Sequence, residues 1–215
     1  RAAVLRDIQQ DYSVGLTESI VRNFTALGGQ VSDPISYSSG DPDFRAVLTQ
    51  IRAQNPDVIF ATGYYTEAAV IVRQARELGM EMPILGGDGW VGDALANGRE
   101  ALRNTFISNH YSGDNPDPVV QNFVASYRQR FGREPDSIAA LSYDAVKVLV
   151  DAFERAGSTN GPAVRDALAT SSVAGVTGQL TMDANRNVSK PAVIQEVTWE
   201  NGAVRFVYRT TIDPD

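Results

Sequence analysis

The clearest pattern of apolar and polar positions lies between residues 56 and 90. Residues 57–61 form a short apolar run, which predicts a buried strand. Residues 82–85 form a second such run. Between them, residues 66–79 have helical spacing, with one apolar face made of Ala68, Ile71, Val72, Ala75 and Leu78. A strand, a helix and a strand of these lengths predict a βαβ unit, whose two strands are parallel.

Strand and helix patterns alternate on both sides of this unit. Further strands are predicted at residues 2–6, 30–37 and 104–109, and further helices at residues 13–27, 41–51, 117–132, 137–156 and 161–169. The first half therefore has the order βαβαβαβ. This order predicts an α/β fold with a doubly wound, mostly parallel sheet and helices on both of its faces.

From Val176 onward the pattern is that of antiparallel β structure. Residues 178–183 alternate between apolar and polar positions. Residues 192–199 and 203–208 also read as strands, and the turn between them contains Asn201-Gly202. Asn-Gly between two alternating segments is a strong signal for a β-hairpin.

Several details of the helices follow from single residues. Ser13, Asp41 and Thr66 are predicted N-caps, because their side-chain oxygens accept hydrogen bonds from the first turn of a helix. The first helix is expected to bury an apolar face made of Leu16, Ile20, Phe24 and Leu27. The helix at residues 137–156 is apolar on most of its circumference, which predicts a position between two layers.

Composition and charge exclude several classes of function. The chain has 215 residues, of which 43% are hydrophobic and 21% charged, as in an ordinary globular protein. Its net charge of −7 argues against nucleic acid as a partner. The absence of cysteine excludes disulfides, thiolate catalysis and zinc sites built on cysteine. No apolar run approaches the roughly 20 residues of a membrane span.

The candidate binding residues follow the predicted parallel strands. In open parallel sheets, ligands bind outside the carboxyl ends of the strands. Tyr12, Tyr64 and Asp88 each follow a different strand, so they are expected at one edge of the sheet. Aromatic walls with one carboxylate would suit a small ligand that carries a positive charge. Taken singly, the tyrosines are better explained as packing residues and Asp88 as a turn residue, and Trp90 could equally be a core anchor or a cleft wall.

Catalysis has little support in the sequence. His110 is the only histidine, and no Gly-x-Ser-x-Gly motif accompanies it. Neither a phosphate-binding loop nor a dinucleotide-binding motif is present. The carboxylates do not show the spacing of metal ligands. We therefore expect no catalytic residue, no metal site and no cofactor.

A series of short motifs gives the chain a family resemblance. They occur in the order Asp11-Tyr12-Ser13, Tyr37-x-x-Gly40-Asp41-x-Asp43-Phe44, Asn55-Pro56-Asp57, Gly63-Tyr64-Tyr65-x-Glu67-Ala68, Gln74-Ala75-Arg76-x-Leu78-Gly79, Gly86-Gly87-Asp88-Gly89, Ser142-Tyr143-Asp144-Ala145, Gly178-Gln179-Leu180-Thr181-Met182-Asp183 and Lys190-Pro191-Ala192. The series resembles the leucine/isoleucine/valine-binding family of type I periplasmic binding proteins. These are the substrate-binding proteins of branched-chain amino acid ABC importers.

The resemblance implies a division of the chain into lobes. Members of the family have two α/β lobes that enclose the ligand. By that pattern, residues 1–136 would be the second lobe, residues 137–190 a remnant of the first lobe, and residues 191–215 a closing hairpin that returns to the second lobe. Most of the first lobe would then be missing. We expect its exposed remnant to favour self-association.

The resemblance also implies a function. Asp88 would bind the ammonium group of a small amino acid-like ligand, and Tyr12, Tyr64 and, less directly, Trp90 would form the walls. Many members have Glu at the position of Asp88, so the carboxylate here is one methylene shorter. The protein would be a periplasmic or extracellular binder, with or without a lipid anchor, that delivers its ligand to a membrane permease. The alternative is a ligand-sensing domain of a receptor or regulator with the same fold.

Overall fold

The computed structural model describes residues 1–214 and contains ten strands and six α-helices in this part of the chain. The strands are β1 (Ala2–Asp7), β2 (Ile35–Tyr37), β3 (Val58–Thr62), β4 (Ile84–Gly86), β5 (Thr105–Asn109), β6 (Ser172–Gly175), β7 (Gly178–Met182), β8 (Val188–Ser189), β9 (Ala192–Glu200) and β10 (Ala203–Ile212). The helices are α1 (Asp11–Ala26), α2 (Arg45–Ala53), α3 (Tyr65–Glu77), α4 (Pro118–Phe131), α5 (Ser137–Ala156) and α6 (Gly161–Leu168). Two short 3-10 segments, Asp88–Trp90 and Asp93–Leu102, connect β4 to β5.

The main sheet has seven strands in the order β10-β9-β5-β4-β3-β1-β2. The pairs β2–β1, β1–β3, β3–β4 and β4–β5 are all parallel. In the central pair, Arg6 lies opposite Thr62, so β1 and β3 end almost level. The α/β fold with a mostly parallel sheet, predicted from the alternating pattern, is confirmed.

The chain divides into two compact units. The first comprises residues 1–108 and 195–207, and the second comprises residues 109–194 and the segment from Tyr208 onward. The predicted lobe boundary at residue 136 falls inside the second unit, and α4 belongs to that unit with α5. Residues 195–207 of the predicted closing hairpin lie in the first unit, and Asp215 lies outside the described residues.

The core of the first unit lies between the parallel sheet and its helices. Its fully buried large side chains include Leu5, Leu48, Ile59, Ile71, Ile84, Trp90 and Ile107. Helix α1 contributes differently from the prediction, because its buried residues are Ser13 and Thr17. Leu27, which was expected on the buried face, is 88% exposed. Helical periodicity located an apolar stripe on α1. It did not predict that Ser13 and Thr17, two small hydroxyl residues, are the ones buried in this helix.

The predicted caps of three helices are wrong in detail. Helix α1 begins two residues before Ser13, whose hydroxyl instead accepts a hydrogen bond from the Asp7 amide. The Asp41 carboxylate binds the Ser38 amide in the preceding turn, and α2 begins only at Arg45. Helix α3 begins before Thr66, whose hydroxyl donates to Glu67. Polar loop residues compete for the same backbone amides, so a cap residue does not fix a helix start.

The second unit contains α4, α5, α6 and a three-stranded sheet in the order β6-β7-β8. Helix α5 has the predicted bounds, with the Asp136 carboxylate accepting from the Ala139 amide at 2.8 Å and Gly157 at φ 58°. Its buried side chains recur every fourth residue at Ala140, Asp144, Val148 and Ala152. A second apolar stripe on this helix remains exposed and includes Ile138, Tyr143, Val146, Leu149 and Val150.

The hairpin predicted at Asn201-Gly202 is present. Strands β9 and β10 are neighbours in the main sheet, and β10 continues to Ile212 beyond the predicted end. Both turn residues have positive φ, 53° for Asn201 and 81° for Gly202. Asn and Gly tolerate this conformation, and two such residues match the turn to the twist of the strands.

Candidate functional site

Three polar loops meet at the carboxyl edge of the parallel sheet in the first unit. Tyr12 lies in the first turn of α1, after β1. Tyr64 immediately precedes α3, after β3, and Asp88 begins the 3-10 turn after β4. Strands β1, β3 and β4 are parallel and adjacent in the sheet, so the loops that follow them project from the same edge. The structure therefore brings together the three residues that the sequence placed at strand ends.

A directional hydrogen bond joins Tyr12 to Asp88. The Tyr12 hydroxyl lies 2.7 Å from Oδ1 of Asp88 and 3.2 Å from the backbone nitrogen of Gly89. The amide can only donate, so the phenol oxygen accepts from Gly89, and the phenol proton is donated to the carboxylate. Burial and, after it, the bond to Asp88 raise the pKa of the Tyr12 phenol. The phenol is therefore protonated, and remains a donor, throughout the neutral range.

Glycines allow this close approach. A Cβ on Gly87 would collide with the Tyr12 hydroxyl. A Cβ on Gly89 would lie 2.7 Å from the carbonyl oxygen of Gly63, and close to the rings of Tyr12 and Tyr64. The glycines on both sides of Asp88 are thus required by packing.

Tyr64 completes an aromatic surface beside the carboxylate. Its ring stacks on Tyr12 with a centroid distance of 5.1 Å and an interplanar angle of 30°. Tyr64 is 36% exposed, so the residue is partly open to solvent. An exposed aromatic face next to an anchored carboxylate can bind a small molecule with an apolar part and a cationic group.

Trp90 has a different environment from the other three candidates. It is 1% exposed and belongs to the hydrophobic core of the first unit. Its indole packs so tightly on Gly86 that any side chain at that position would collide with it. The placement favours the core-anchor alternative for Trp90, which holds the Asp88 turn against the sheet.

A buried hydroxyl cluster fixes α1 on the sheet, and sequence reasoning missed it. Ser13 Oγ donates to the Thr62 carbonyl oxygen at 2.8 Å. The hydroxyl of Thr62 lies 2.9 Å from Ser13 Oγ and 2.8 Å from Thr17 Oγ1. Ser13 and Thr17 are four residues apart, which puts them on one helix face. The four-residue spacing of Ser13 and Thr17, next to Tyr12, was the feature of the sequence that could have predicted this cluster.

Two buried carboxylates hold the loop after β2, and they too were missed. The Asp7 carboxylate accepts hydrogen bonds from the Gln9 amide at 2.9 Å and from the Ser39 hydroxyl. The Glu67 carboxylate accepts from the Gly40 amide at 3.0 Å. Burial, followed by the charge of Asp7 and then that of Glu67, raises the pKa of the neighbouring Tyr37. These carboxylates shape the loop next to the candidate site.

Nothing in the described part of the chain indicates metal chemistry or a membrane span. No group of three or more His, Asp or Glu residues among residues 1–214 could hold a metal ion. The helices within the same range are too short or too polar to cross a bilayer. His110 belongs to the second unit, where its backbone amide donates to the Asn109 side chain at 2.7 Å.

A sequence model of the periplasmic binding protein family matches residues 1–203. The chain belongs to the periplasmic binding protein family. The curated relatives include a Leu/Ile/Val-binding protein homolog 1 of Brucella suis, 28% identical over 208 residues. That match covers 94% of this chain and 54% of the relative.

Solved structures of amino acid-binding proteins resemble this periplasmic binding protein closely. The leucine-binding protein LivK of Thermotoga maritima is 40% identical, with a TM-score of 0.87 over 100% of this chain and 61% of that one. LivJ of Streptococcus pneumoniae, solved in complex with isoleucine, is 32% identical, with a TM-score of 0.77 over 97% of this chain and 60% of its own. The resemblance to the leucine/isoleucine/valine-binding family is confirmed. The chain spans little more than half the length of these relatives.

Proposed function

We propose that this chain is part of an extracytoplasmic substrate-binding protein of an ABC importer, and that it binds the ammonium end of a small amino acid-like ligand. The observation that carries the proposal is the Asp88 carboxylate, anchored by Tyr12 at 2.7 Å, with the partly exposed Tyr64 stacked on the Tyr12 ring. A carboxylate in this position can pair with an ammonium group, and the rings can contact an apolar side chain.

Each residue has one role in the proposal. Asp88 receives the ammonium group of the ligand. Tyr12 and Tyr64 form the wall, and Trp90 supports the turn from the core. The protein binds and releases its ligand without chemistry. A membrane permease receives the ligand, as the relatives' description as ABC transporter proteins suggests.

The residues at this site are too few for tight binding. A hydrogen bond to a charged group contributes about 1.5–3 kcal/mol, whereas a micromolar ligand needs about 8 kcal/mol in total. One carboxylate and two aromatic rings fall short of this sum. We therefore infer that the groups holding the ligand carboxylate lie in a part of the protein that this chain does not contain. Alone, the chain would bind an amino acid at millimolar strength or not at all.

The first experiment compares the chain with a longer protein in which an N-terminal lobe, taken from a full-length relative, precedes it. A thermal-shift screen against amino acids, small amides and polyols finds the ligand, since a molecule that binds only the folded state raises the melting temperature. Asp88→Asn should abolish the shift caused by an amino acid. Asp93→Asn is the matched control, because Asp93 is an exposed carboxylate outside the site.

Two results would contradict the proposal. Calorimetry that gives micromolar binding by the 215-residue chain alone would show that the site is complete without further residues. A screen in which only uncharged compounds shift the longer protein would make Asp88 a turn residue and exclude the ammonium role.

A further inference from the structure

We propose that Tyr12 is a positioning residue, whose hydroxyl holds the Asp88 carboxylate in the orientation that receives the ligand. This role is separate from the contribution of the Tyr12 ring to the wall. The part of the proposal that concerns ligand selectivity rests on the proposed function. The part that concerns the Asp88 side chain does not depend on any ligand.

The orientation of the Asp88 side chain is set separately from that of the backbone turn on which it lies. The turn itself is fixed by two backbone hydrogen bonds, from Trp90 to the Gly87 carbonyl and from Val91 to the Asp88 carbonyl, each 3.1 Å long. Neither bond restricts the side-chain torsions of Asp88. The 2.7 Å bond from the Tyr12 hydroxyl does, since it fixes one carboxylate oxygen in space.

The Tyr12 hydroxyl is well suited to this task because it is held on two sides. Its oxygen accepts from the Gly89 amide at 3.2 Å, so its proton has a single direction left. Its ring stacks on Tyr64 and rises from α1. That helix is tied to the end of β3 by the hydrogen bonds of Ser13 and Thr17 with Thr62. The Asp88 carboxylate is therefore connected to the sheet through Tyr12 and helix α1, and this connection restricts its movement.

An immobile carboxylate improves discrimination between charged and uncharged ligands. When it is already oriented, an ammonium group gains the full interaction without the entropy cost of ordering the side chain. A ligand without an ammonium group does not pair with the carboxylate, so its affinity does not depend on how the carboxylate is oriented. Loss of the Tyr12 hydroxyl should therefore weaken binding of an ammonium ligand selectively, while the ring continues to form the wall.

The ligand-independent test measures the side-chain rotamer of Asp88 by NMR scalar couplings in the 215-residue chain. We expect one dominant rotamer in the wild type and a changed rotamer distribution in Tyr12→Phe, because the bond to the Tyr12 hydroxyl is lost. Tyr65→Phe is the control, because Tyr65 is a neighbouring, partly exposed tyrosine that packs over Gly92. A single, unchanged Asp88 rotamer in a folded Tyr12→Phe variant would overturn the proposal.

The ligand test uses NMR titration, which detects millimolar binding, with L-leucine and with isocaproate, its analogue without the ammonium group. We expect Tyr12→Phe to weaken leucine binding by about tenfold and isocaproate binding much less. In an Asp88→Asn background, Tyr12→Phe should cause no further loss, because the two side chains act as one unit. Equal losses for both ligands would overturn the selectivity role. If neither the chain nor the longer protein with an added N-terminal lobe binds an amino acid, the proposed function fails, while the rotamer measurement still decides the positioning role.

Discussion

At the scale of single residues, hydroxyl groups decide how the candidate site is built. The hydroxyl of Tyr12, at the site, forms a hydrogen bond with Asp88, whereas the hydroxyl of the buried Tyr111 forms none with the described residues. Tyr111, in the second unit, is 5% exposed, and its hydroxyl has no hydrogen-bond partner among residues 1–214. A buried polar group without a partner is destabilising, whereas one with a charged partner is not.

The two tyrosines therefore predict opposite outcomes for the same substitution. Tyr111→Phe should leave the free energy of unfolding unchanged or raise it by up to about 1 kcal/mol, because it removes an unpaired buried hydroxyl. Tyr12→Phe should lower it by about 1.5–3 kcal/mol, because it removes a bond to a carboxylate. Urea denaturation of both variants provides the measurement. A loss above about 1 kcal/mol in Tyr111→Phe would show that its hydroxyl has a partner in solution.

At the scale of elements, a buried charged side chain ties together segments that are distant in sequence. The Asp144 carboxylate, on α5, accepts hydrogen bonds from the amides of Val176 and Thr177 and from the Thr177 hydroxyl, each 2.8 Å long. A Cβ on Gly175 would come within 2.6 Å of the same carboxylate. Asp144 thus fixes the turn between β6 and β7 against the helix.

Removal of this carboxylate should be costly. Asp144→Ala leaves two buried amides without acceptors, so we expect a loss of about 3 kcal/mol in the free energy of unfolding. Asp151→Ala, on the same helix, removes only a partly exposed pair with Arg155 and should cost less than about 1 kcal/mol. Denaturation curves of the two variants test the difference. Equal losses would mean that the hydrogen bonds of Asp144 contribute little.

In the first unit, the buried side chain of Arg76 likewise connects segments that are distant in sequence. Its guanidinium donates to the carbonyl oxygens of Met80, Met82, Arg103 and Asn104, which precede β4 and β5. Desolvation by burial lowers the pKa of Arg76, although arginine remains charged in proteins. The planar guanidinium has five donors and binds four carbonyl oxygens here, whereas a lysine ammonium has only three donors at a single nitrogen.

Arg76→Lys should therefore loosen the entry to both strands. We expect faster amide hydrogen exchange at the start of β4 and β5, and a loss of about 2 kcal/mol in the free energy of unfolding. Arg103→Lys is the control, since the Arg103 side chain forms an exposed ion pair with Glu81. If exchange at β4 and β5 is the same in both variants, the four carbonyl contacts of Arg76 do not stabilise these strands.

The elements themselves were largely predictable, and the connections between them were not. Apolar periodicity identified α5, β5 and the hairpin at Asn201-Gly202 because local spacing is enough to define each of them. It failed at Ser13 and Thr17, since their burial depends on Thr62, far away in the sequence. The strand order placed Tyr12, Tyr64 and Asp88 together, but the bond between Tyr12 and Asp88 depends on two glycines that only tertiary structure brings beneath the ring.

At the scale of the whole molecule, buried tyrosines determine how stability depends on alkaline pH. The pKa values of Tyr12 and Tyr37 are raised by burial and by nearby carboxylates, and burial raises the pKa of Tyr111 to about 12. A raised pKa means that the fold favours the neutral phenol. This contribution to stability is fully present below the unfolded pKa of about 10, and it is lost as pH rises through the folded values.

We therefore expect the free energy of unfolding to fall steeply above about pH 10. Absorbance of tyrosinate should show Tyr12, Tyr37 and Tyr111 titrating only together with unfolding. Urea midpoints measured across the same range provide the second readout. A Tyr12→Phe, Tyr37→Phe and Tyr111→Phe triple variant should show a shallower decline. An unchanged slope in that variant would assign the alkaline sensitivity to other groups.

The second unit has an exposed apolar surface on helix α5. Helix α5 exposes a continuous apolar stripe that includes Val146, Val150 and Ile138, which is 67% exposed. Large contiguous apolar patches often mark interaction surfaces. We expect the 215-residue chain to self-associate through this stripe at high concentration.

Val146→Lys with Val150→Lys should shift sedimentation towards the monomer without lowering the free energy of unfolding, because both side chains are already exposed. Leu27→Lys, at an isolated exposed position after α1, should leave association unchanged. A wild-type chain that sediments only as a monomer at high concentration would contradict the expectation.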